Sequence, residues 1–225
     1  MLNKNINIQD ITCVILSGGR ATRMKGLDKG LQLFKGLPLV EHVYNRIKVQ
    51  VGTVIINANR NLDKYREICT TVCTDGNEDY DGPLAGIMAG LELTQTPYLL
   101  TVPCDAPYVP NDLVERLKIV LMQSQAQIAT VRAPEKEILR VQPVFTLMHT
   151  GVMENLQKFM MGKDKKIQTW SASLNQVFVD FDTPGDDPLA FCNINSTEEL
   201  QKIENCMSNL HLSQLANCQS DLSKL

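Results

Sequence analysis

The sequence predicts an α/β chain, Rossmann-like and doubly wound, with a mostly parallel sheet and helices on both faces. Three observations carry this. Apolar runs at residues 11–16, 54–56 and 97–102 have the length and β-branched content of buried strands. Segments of helical spacing separate them, and strands that alternate with helices build parallel sheets through crossover connections. The first strands also run at their carboxyl ends into glycine, asparagine or aspartate, at the edge where open α/β sheets bind ligands.

Taken in order, Ile11-Thr12-Cys13-Val14-Ile15-Leu16 is the first strand, and two glycines interrupt it at Gly18 and Gly19. In the segment 38–47, Leu39, Val40, Val43 and Ile47 share one helical face, with Pro38 at the start where proline is tolerated. Val54-Ile55-Ile56 is a short strand that ends in Asn57-Ala58-Asn59-Arg60. A helix over about 62–69 and a strand over 71–73 follow, and the strand runs into Asp75. Residues 76–81 are polar and turn-rich, after which Gly82-Pro83-Leu84-Ala85-Gly86 opens a helix with small residues on its first turns. Those residues serve either tight helix-to-sheet packing or close approach to a ligand. Residues 97–102 are the next buried strand, and Pro103-Cys104-Asp105-Ala106-Pro107-Tyr108 closes it.

Asn111 is the expected N-cap of a helix with Leu113, Val114, Leu117, Val120 and Leu121 inward. Two strands are expected at 127–131 and 140–148, the second with Pro143 at an edge, a bulge or a strand start. A helix over 151–161, a basic run at 163–166, a short helix through Trp170 and a strand over 177–181 come next. Ser196-Thr197-Glu198-Glu199 reads as a capping box opening a last helix. The expected organisation is one domain over 1–206, with a loosely helical or disordered tail over 207–225.

Composition narrows the function. A net charge of −3 among 225 residues argues against a general nucleic-acid or membrane-surface role, because those partners reward a broad basic face. No apolar run approaches a membrane span and the N-terminus lacks the apolar core of a signal peptide, so a cytoplasmic location is expected. Seven scattered cysteines and three distant histidines give no C-x-x-C or H-x-x-x-H pattern, which leaves zinc without support and makes the cysteines core hydrophobes.

The stretch from Leu16 to Gly30 is the chemical centre of the chain. Its two glycines leave the backbone N–H groups open to a polyanion, while Arg20, Arg23, Lys25 and Lys29 add charge within one short loop. It matches neither G-x-x-x-x-G-K-[ST] nor G-x-G-x-x-G. Asp105, alone at a strand end, has the character of a Mg2+ ligand, since magnesium is held through one or two carboxylates plus phosphate oxygens. The other reading of Asp105 is a helix cap or a brace of its Pro-x-x-x-Pro turn, and Asp75 likewise suits a plain turn.

The run Leu-Ser-Gly-Gly-Arg-Ala-Thr-Arg-Met-Lys-Gly-Leu-Asp-Lys resembles the signature L-[AS]-G-G-x-[SA]-x-R-M-G-x-D-K of the molybdenum cofactor guanylyltransferase family. Lys25 stands where that family usually has glycine, and its side chain either points outward or adds to the phosphate charge. The segments 57–60, 82–86, 103–108 and 191–200 resemble the family in the same order, so the likeness reaches about residue 206. It implies GMP transfer from GTP to the terminal phosphate of molybdenum-bearing molybdopterin, with Mg2+ as cofactor. By the same resemblance Leu16, Ser17 and Gly18 would contact base and sugar through their backbone, Gly19 would be a further nucleotide-binding residue, Asn57 and Asp75 would hold the nucleoside, and Lys29 and Arg23 would meet the phosphates. Asp105 would bind both nucleotide and metal, and Asn193 and Asn195 would lie on the pterin side unless they merely precede a helix cap. Molybdoenzymes, their chaperones and other cofactor-biosynthesis proteins are the further partners implied. The competing expectations are a cytidylyltransferase or sugar-phosphate nucleotidyltransferase of the same fold, and a non-catalytic module that delivers the cofactor.

Overall fold

The computed structural model describes residues 5–18, 28–75, 82–135, 138–194 and 199. In chain order it comprises β1 (Ile11–Leu16), β2 (Leu33–Phe34), β3 (Leu37–Pro38), α1 (Leu39–Ile47), β4 (Thr53–Asn57), α2 (Leu62–Ile68), β5 (Val72–Cys73) and α3 (Pro83–Leu93). There follow β6 (Tyr98–Pro103), α4 (Leu113–Ser124), β7 (Ile128–Glu135), β8 (Ile138–His149), α5 (Met153–Met160), α6 (Ile167–Ser171) and β9 (Gln176–Asp180). Seven of the strands form one sheet in the order β5-β4-β1-β6-β8-β7-β9. β8 is antiparallel to β6 and β7, and the remaining pairings are parallel. The sheet is therefore mostly parallel, as the alternation of elements predicts.

Strand periodicity divides the core between the two faces. Cys13 and Ile15 of β1, with Ile56, Leu100 and Val102, pack under α1, α2 and α4 through Val43, Tyr65 and Leu117. Val14, Ile55 and Leu99 point the other way and meet α3, α5 and α6 through Ile87, Leu156 and Trp170. Helices thus cover both faces. Gly90 of α3 lets that helix pack tightly on β1, since a Cβ there would sit 3.0 Å from Val14. The described cysteines are free thiols, and Cys13, Cys69, Cys73 and Cys104 are buried as core residues. Among the described residues no helix is long and apolar enough to cross a membrane.

Several details depart from expectation. The α4 N-cap is Asp112 rather than Asn111, and its side chain makes no capping bond; Gln50 Oε1 instead accepts from Val114 N–H at 3.1 Å, while at the other end Ser124 Oγ donates to Val120 O at 2.7 Å. β7 and β8 are longer than their apolar stretches, because they pair with each other as far as Glu135 and Ile138 beyond the rest of the sheet. Pro143 marks a bulge in an interior strand: the register jumps between Thr130 and Val131. Carbonyls freed there are taken up by hydroxyls, with Thr101 Oγ1 donating to Val144 O at 2.5 Å and Thr146 Oγ1 to Pro143 O at 3.1 Å. The helix expected from Gly151 starts as a 3₁₀ turn, Thr150–Val152, and becomes α-helical at Met153. The capping box at 196–199 and the tail lie outside the described residues, apart from Glu199.

The sequence reading also lacks the β2–β3 hairpin. Its turn is Lys35-Gly36, with φ of 48° and 82°. Two left-handed residues are what a tight hairpin turn demands, and glycine adopts that conformation without strain. Gly36→Ala is expected to cost about 1 kcal/mol and lower Tm by about 2–4 °C. Thermal melts followed by circular dichroism check this, with wild-type Tm as the contrary result.

Candidate active site

Because β5, β4, β1 and β6 are neighbours and parallel, their carboxyl ends emerge side by side. The register sets Leu16 level with Asn57 and Pro103, and Asn57 level with Cys73. Backbone pairing continues one residue further: Ser17 N–H donates to Asn57 O at 2.8 Å, Cys104 N–H to Leu16 O at 3.1 Å, and Ala58 N–H to Cys73 O at 2.9 Å. The sequence-predicted residues Leu16, Ser17, Gly18, Asn57, Asp75 and Asp105 all lie on this rim.

Beyond the ladder the rim opens around Gly18. A Cβ on Gly18 would lie 2.9 Å from Asn57 Oδ1, 3.2 Å from Asn59 Nδ2 and 3.4 Å from Asp75 Oδ2, so three polar side chains converge on a bare backbone. Asn59 bridges the group, donating to Gly18 O at 3.5 Å and accepting from Asp75 N–H at 3.2 Å. Asn57 is 1% exposed and its amide reaches Cys73 Sγ at 3.8 Å.

The small residues of α3 fit against this wall. A Cβ on Gly86 would stand 2.5 Å from Asn57 Oδ1 and 2.8 Å from Leu16 Cδ2. Substitution must displace Asn57, and overpacking of this kind costs about 1–3 kcal/mol. Gly86→Val is expected to displace Asn57 and lower the unfolding free energy by about 1–3 kcal/mol while the chain still folds. A urea melt tests it; wild-type stability would show that Asn57 gives way without cost.

At the end of the neighbouring strand β6, Asp105 Oδ2 forms an ion pair with the ammonium of Lys29, which begins a 3₁₀ turn, Lys29–Leu31. The two ends of the sequence motif, loop and strand-end carboxylate, therefore meet directly. Asp105 is 7% exposed, and its backbone carbonyl accepts from Ile194 N–H at 2.9 Å. That bond brings the exposed Asn193 next to the rim. Gly19 and Arg23, with Arg20 and Lys25, lie outside the described residues, as does Asn195.

Three buried oxygens here have no hydrogen-bond partner among the described residues: Ser17 Oγ, Asp75 Oδ1 and Asp105 Oδ1. Unsatisfied polar atoms are costly in an interior, and three on one rim mark a surface shaped for a polar ligand. Ser17 Oγ borders the Tyr65 hydroxyl and the Cys104 thiol without forming a well-aligned hydrogen bond to either. Burial, reinforced by Asp105, pushes the Cys104 thiol up to about 12. At neutral pH it is protonated and no nucleophile.

Asp28, Asn59, Asn61 and Tyr65 were missing from the expected site. Asp28 accepts from Tyr65 Oη at 2.6 Å and from Asn61 Nδ2 at 3.0 Å, directly behind Lys29. The Asp-Lys pair ending the first loop was the available signal. Tyr65 offered none, because in sequence it is an ordinary inward position of α2.

The MobA-like NTP transferase domain matches residues 13–177. The chain is 48% identical over 205 residues to a protein of an Acidovorax species named molybdenum cofactor guanylyltransferase, covering 88% of this chain and 97% of that one. A protein of Albidiferax ferrireducens with the same name is 48% identical over 207 residues, 89% of this chain and 98% of its own. Among solved structures, molybdopterin-guanine dinucleotide biosynthesis protein A from Archaeoglobus fulgidus superposes with a TM-score of 0.68 at 19% identity, over 88% of this chain and all of that one. The 4-diphosphocytidyl-2C-methyl-D-erythritol synthase of Anaerococcus prevotii superposes with a TM-score of 0.71 at 10% identity, over 89% and 97%. At such identities the two structures speak for the fold alone. The matched span contains the carboxyl ends of β1, β4, β5 and β6, which build the rim, and covers more than half of the chain, so the chain belongs to the MobA-like NTP transferase family.

Proposed function

We propose that this chain transfers GMP from GTP to the terminal phosphate of molybdopterin carrying molybdenum, forming the guanine dinucleotide cofactor and releasing pyrophosphate. The observation that carries the reading is the Lys29–Asp105 pair at the end of β6 together with the Gly18, Asn57 and Asp75 cluster at the ends of β1, β4 and β5 in the same sheet. A triphosphate brings about four negative charges, and its transfer calls for cations and fixed donors rather than a covalent intermediate. The choice of guanine and of the pterin acceptor rests on relatives that share 48% of their residues with this chain and carry that name.

The donor set suits Mg2+. Asp105 Oδ1 is buried, oxygen, and without a hydrogen-bond partner among the described residues, and Asp75 Oδ1 is the same. Among the described residues no group of three His, Cys, Asp or Glu side chains could enclose an ion alone, which accords with a cation shared between one or two carboxylates and substrate phosphates. Asp105 would hold it, and Mg2+ bound there would supply Lewis-acid neutralisation of phosphate charge.

The chain's own part is binding and orientation. The Gly18 backbone, Asn57 and Asp75 hold the nucleoside, with Leu16, Ser17 and Gly19 lining it. Lys29 leaves Asp105 for the phosphates and neutralises the departing pyrophosphate, with Arg23 in support. Asn193 and Asn195 face the pterin. The acceptor phosphate has a second pKa of about 6, so it attacks the α-phosphorus already ionised and no side chain need remove a proton. As the Pα–O bond to pyrophosphate breaks, the new phosphoanhydride forms between GMP and the pterin phosphate. The unit doing this is one nucleotidyltransferase domain over 1–206, working in the cytoplasm and passing its product to molybdoenzymes or their chaperones.

Calorimetry with GTP and with CTP, each with Mg2+ and with EDTA, combined with a pyrophosphate-release assay, tests the reading. Expected are GTP preference, Mg2+ dependence, and pyrophosphate release only with molybdopterin present. Preferential CTP binding would mean a cytidylyltransferase, and GTP binding without acceptor-dependent release would mean a carrier.

A further inference from the structure

Behind the Lys29–Asp105 pair lies a buried polar layer to which the transfer reaction, as described, gives no role. Asp28 is 8% exposed, and each of its carboxylate oxygens has its own donor: Tyr65 Oη on Oδ1 at 2.6 Å and Asn61 Nδ2 on Oδ2 at 3.0 Å. Both donors belong to α2 or to the residue that opens it. We propose that Tyr65 and Asn61 are positioning residues that act through Asp28 to set Lys29 on the triphosphate, an inference that rests on the function proposed above.

The geometry supports a latch of this kind. Asp28 immediately precedes the turn that begins at Lys29, and its carbonyl accepts from Leu31 N–H at 3.2 Å and Gln32 Nε2 at 3.1 Å. Fixing the Asp28 side chain therefore fixes the residue on which that turn closes. A buried carboxylate is tolerated only when its oxygens are hydrogen-bonded, so the two donors are a condition of the arrangement. Tyr65 is fully buried; burial, then the neighbouring Cys104 and Asp28, oppose its ionisation and keep the hydroxyl a donor. The turn is seated on that hydroxyl without room for a side chain, since a Cβ on Gly30 would meet Tyr65 Oη at 2.6 Å. Asn61 holds a left-handed conformation, φ 51° and ψ 33°, which aims its amide at Asp28 and which asparagine accepts more readily than most residues.

The connection also has a direction. The loop 57–60, which brings Asn57 and Asn59 to the nucleoside side, runs straight into Asn61 and α2. One helix start thus joins the residues at the base and sugar to the turn at the phosphates. The spacing between nucleoside and triphosphate contacts is built into α2, and Lys29 arrives at the phosphates preoriented.

Tyr65→Phe keeps the ring and deletes the hydroxyl. Its kcat/KM for GTP is expected to fall about tenfold or more, the scale of a lost hydrogen bond to a charged group. The deciding measurement is a double-mutant cycle: in a Lys29→Ala background, Tyr65→Phe should cause no further loss, because the residue through which it acts is gone. Asn61→Gly retains the left-handed backbone and removes the second donor, and it serves in the same cycle should Tyr65→Phe fail to fold. Unchanged kcat/KM in the single variants, or an equal loss in both backgrounds, overturns the positioning role. Calorimetry of the wild type with GTP separates the two layers: absence of GTP binding removes the proposed function itself, whereas normal binding with an additive cycle removes only the latch.

Discussion

Asp105→Ala is expected to lower guanylyl transfer by roughly 10³-fold with the fold intact, the scale seen when a group stabilising transition-state charge is removed. The side chain sits at the rim, and the β6 ladder through Pro103 and the Ile194 N–H bond to its carbonyl are both backbone interactions that alanine keeps. What disappears is one oxygen paired with Lys29 and one with no hydrogen-bond partner among the described residues. The sign of the binding change is the sharper test. In wild type with EDTA, the Asp105 carboxylate repels the triphosphate and competes for Lys29, so its removal should tighten GTP binding or leave it unchanged. With Mg2+ the order should reverse, because on the proposed assignment only wild type offers the cation a protein carboxylate at this site. Calorimetry with and without Mg2+, beside initial rates of pyrophosphate release, measures both. Wild-type turnover in Asp105→Ala would end the assignment, as would GTP binding lost equally with and without Mg2+.

How far the site could be read before the structure follows from what kind of information each residue carries. β1, β4 and β6 announce themselves as apolar runs, the two-residue β5 is reached only through its place after α2 in the alternation of elements, and parallel connectivity obliges all four carboxyl ends to share an edge. Gly18, Asn57, Asp75 and Asp105 are therefore legible as a group with no knowledge of side-chain geometry. The β2–β3 hairpin escapes because two-residue strands have no periodicity to detect, and its signal is confined to Lys35-Gly36. The lengths of β7 and β8 escape for a related reason: pairing beyond the sheet leaves Ile138 and Leu139 exposed, so no alternation marks the extension. Tyr65 is hidden differently. Its hydroxyl matters only because Asp28, 37 positions earlier, is folded against it, and no local pattern encodes that meeting.

Lys29→Ala should lower kcat/KM for GTP about 10²-fold, comparable to the loss of one preorganised donor to a developing anion, with a clear rise in KM. Two effects add. The phosphates lose a cation, and Asp105 loses its counter-charge and confronts the incoming triphosphate bare. The predicted contrast with Asp105→Ala is therefore qualitative: with EDTA, Lys29→Ala weakens GTP binding whereas Asp105→Ala does not. Lys29→Arg separates charge from shape. A guanidinium keeps the charge but is broader and planar, and it must enter a turn where Gly30 already lies against Tyr65 and Cys104. Arginine should restore part of the binding and little of the turnover, because phosphate attraction survives loose placement whereas stabilisation of the departing pyrophosphate does not. Steady-state kinetics on the three variants, with calorimetry in EDTA, gives the comparison. Full recovery of kcat in Lys29→Arg would show that charge alone suffices, and unchanged KM in Lys29→Ala would place the triphosphate elsewhere on the rim.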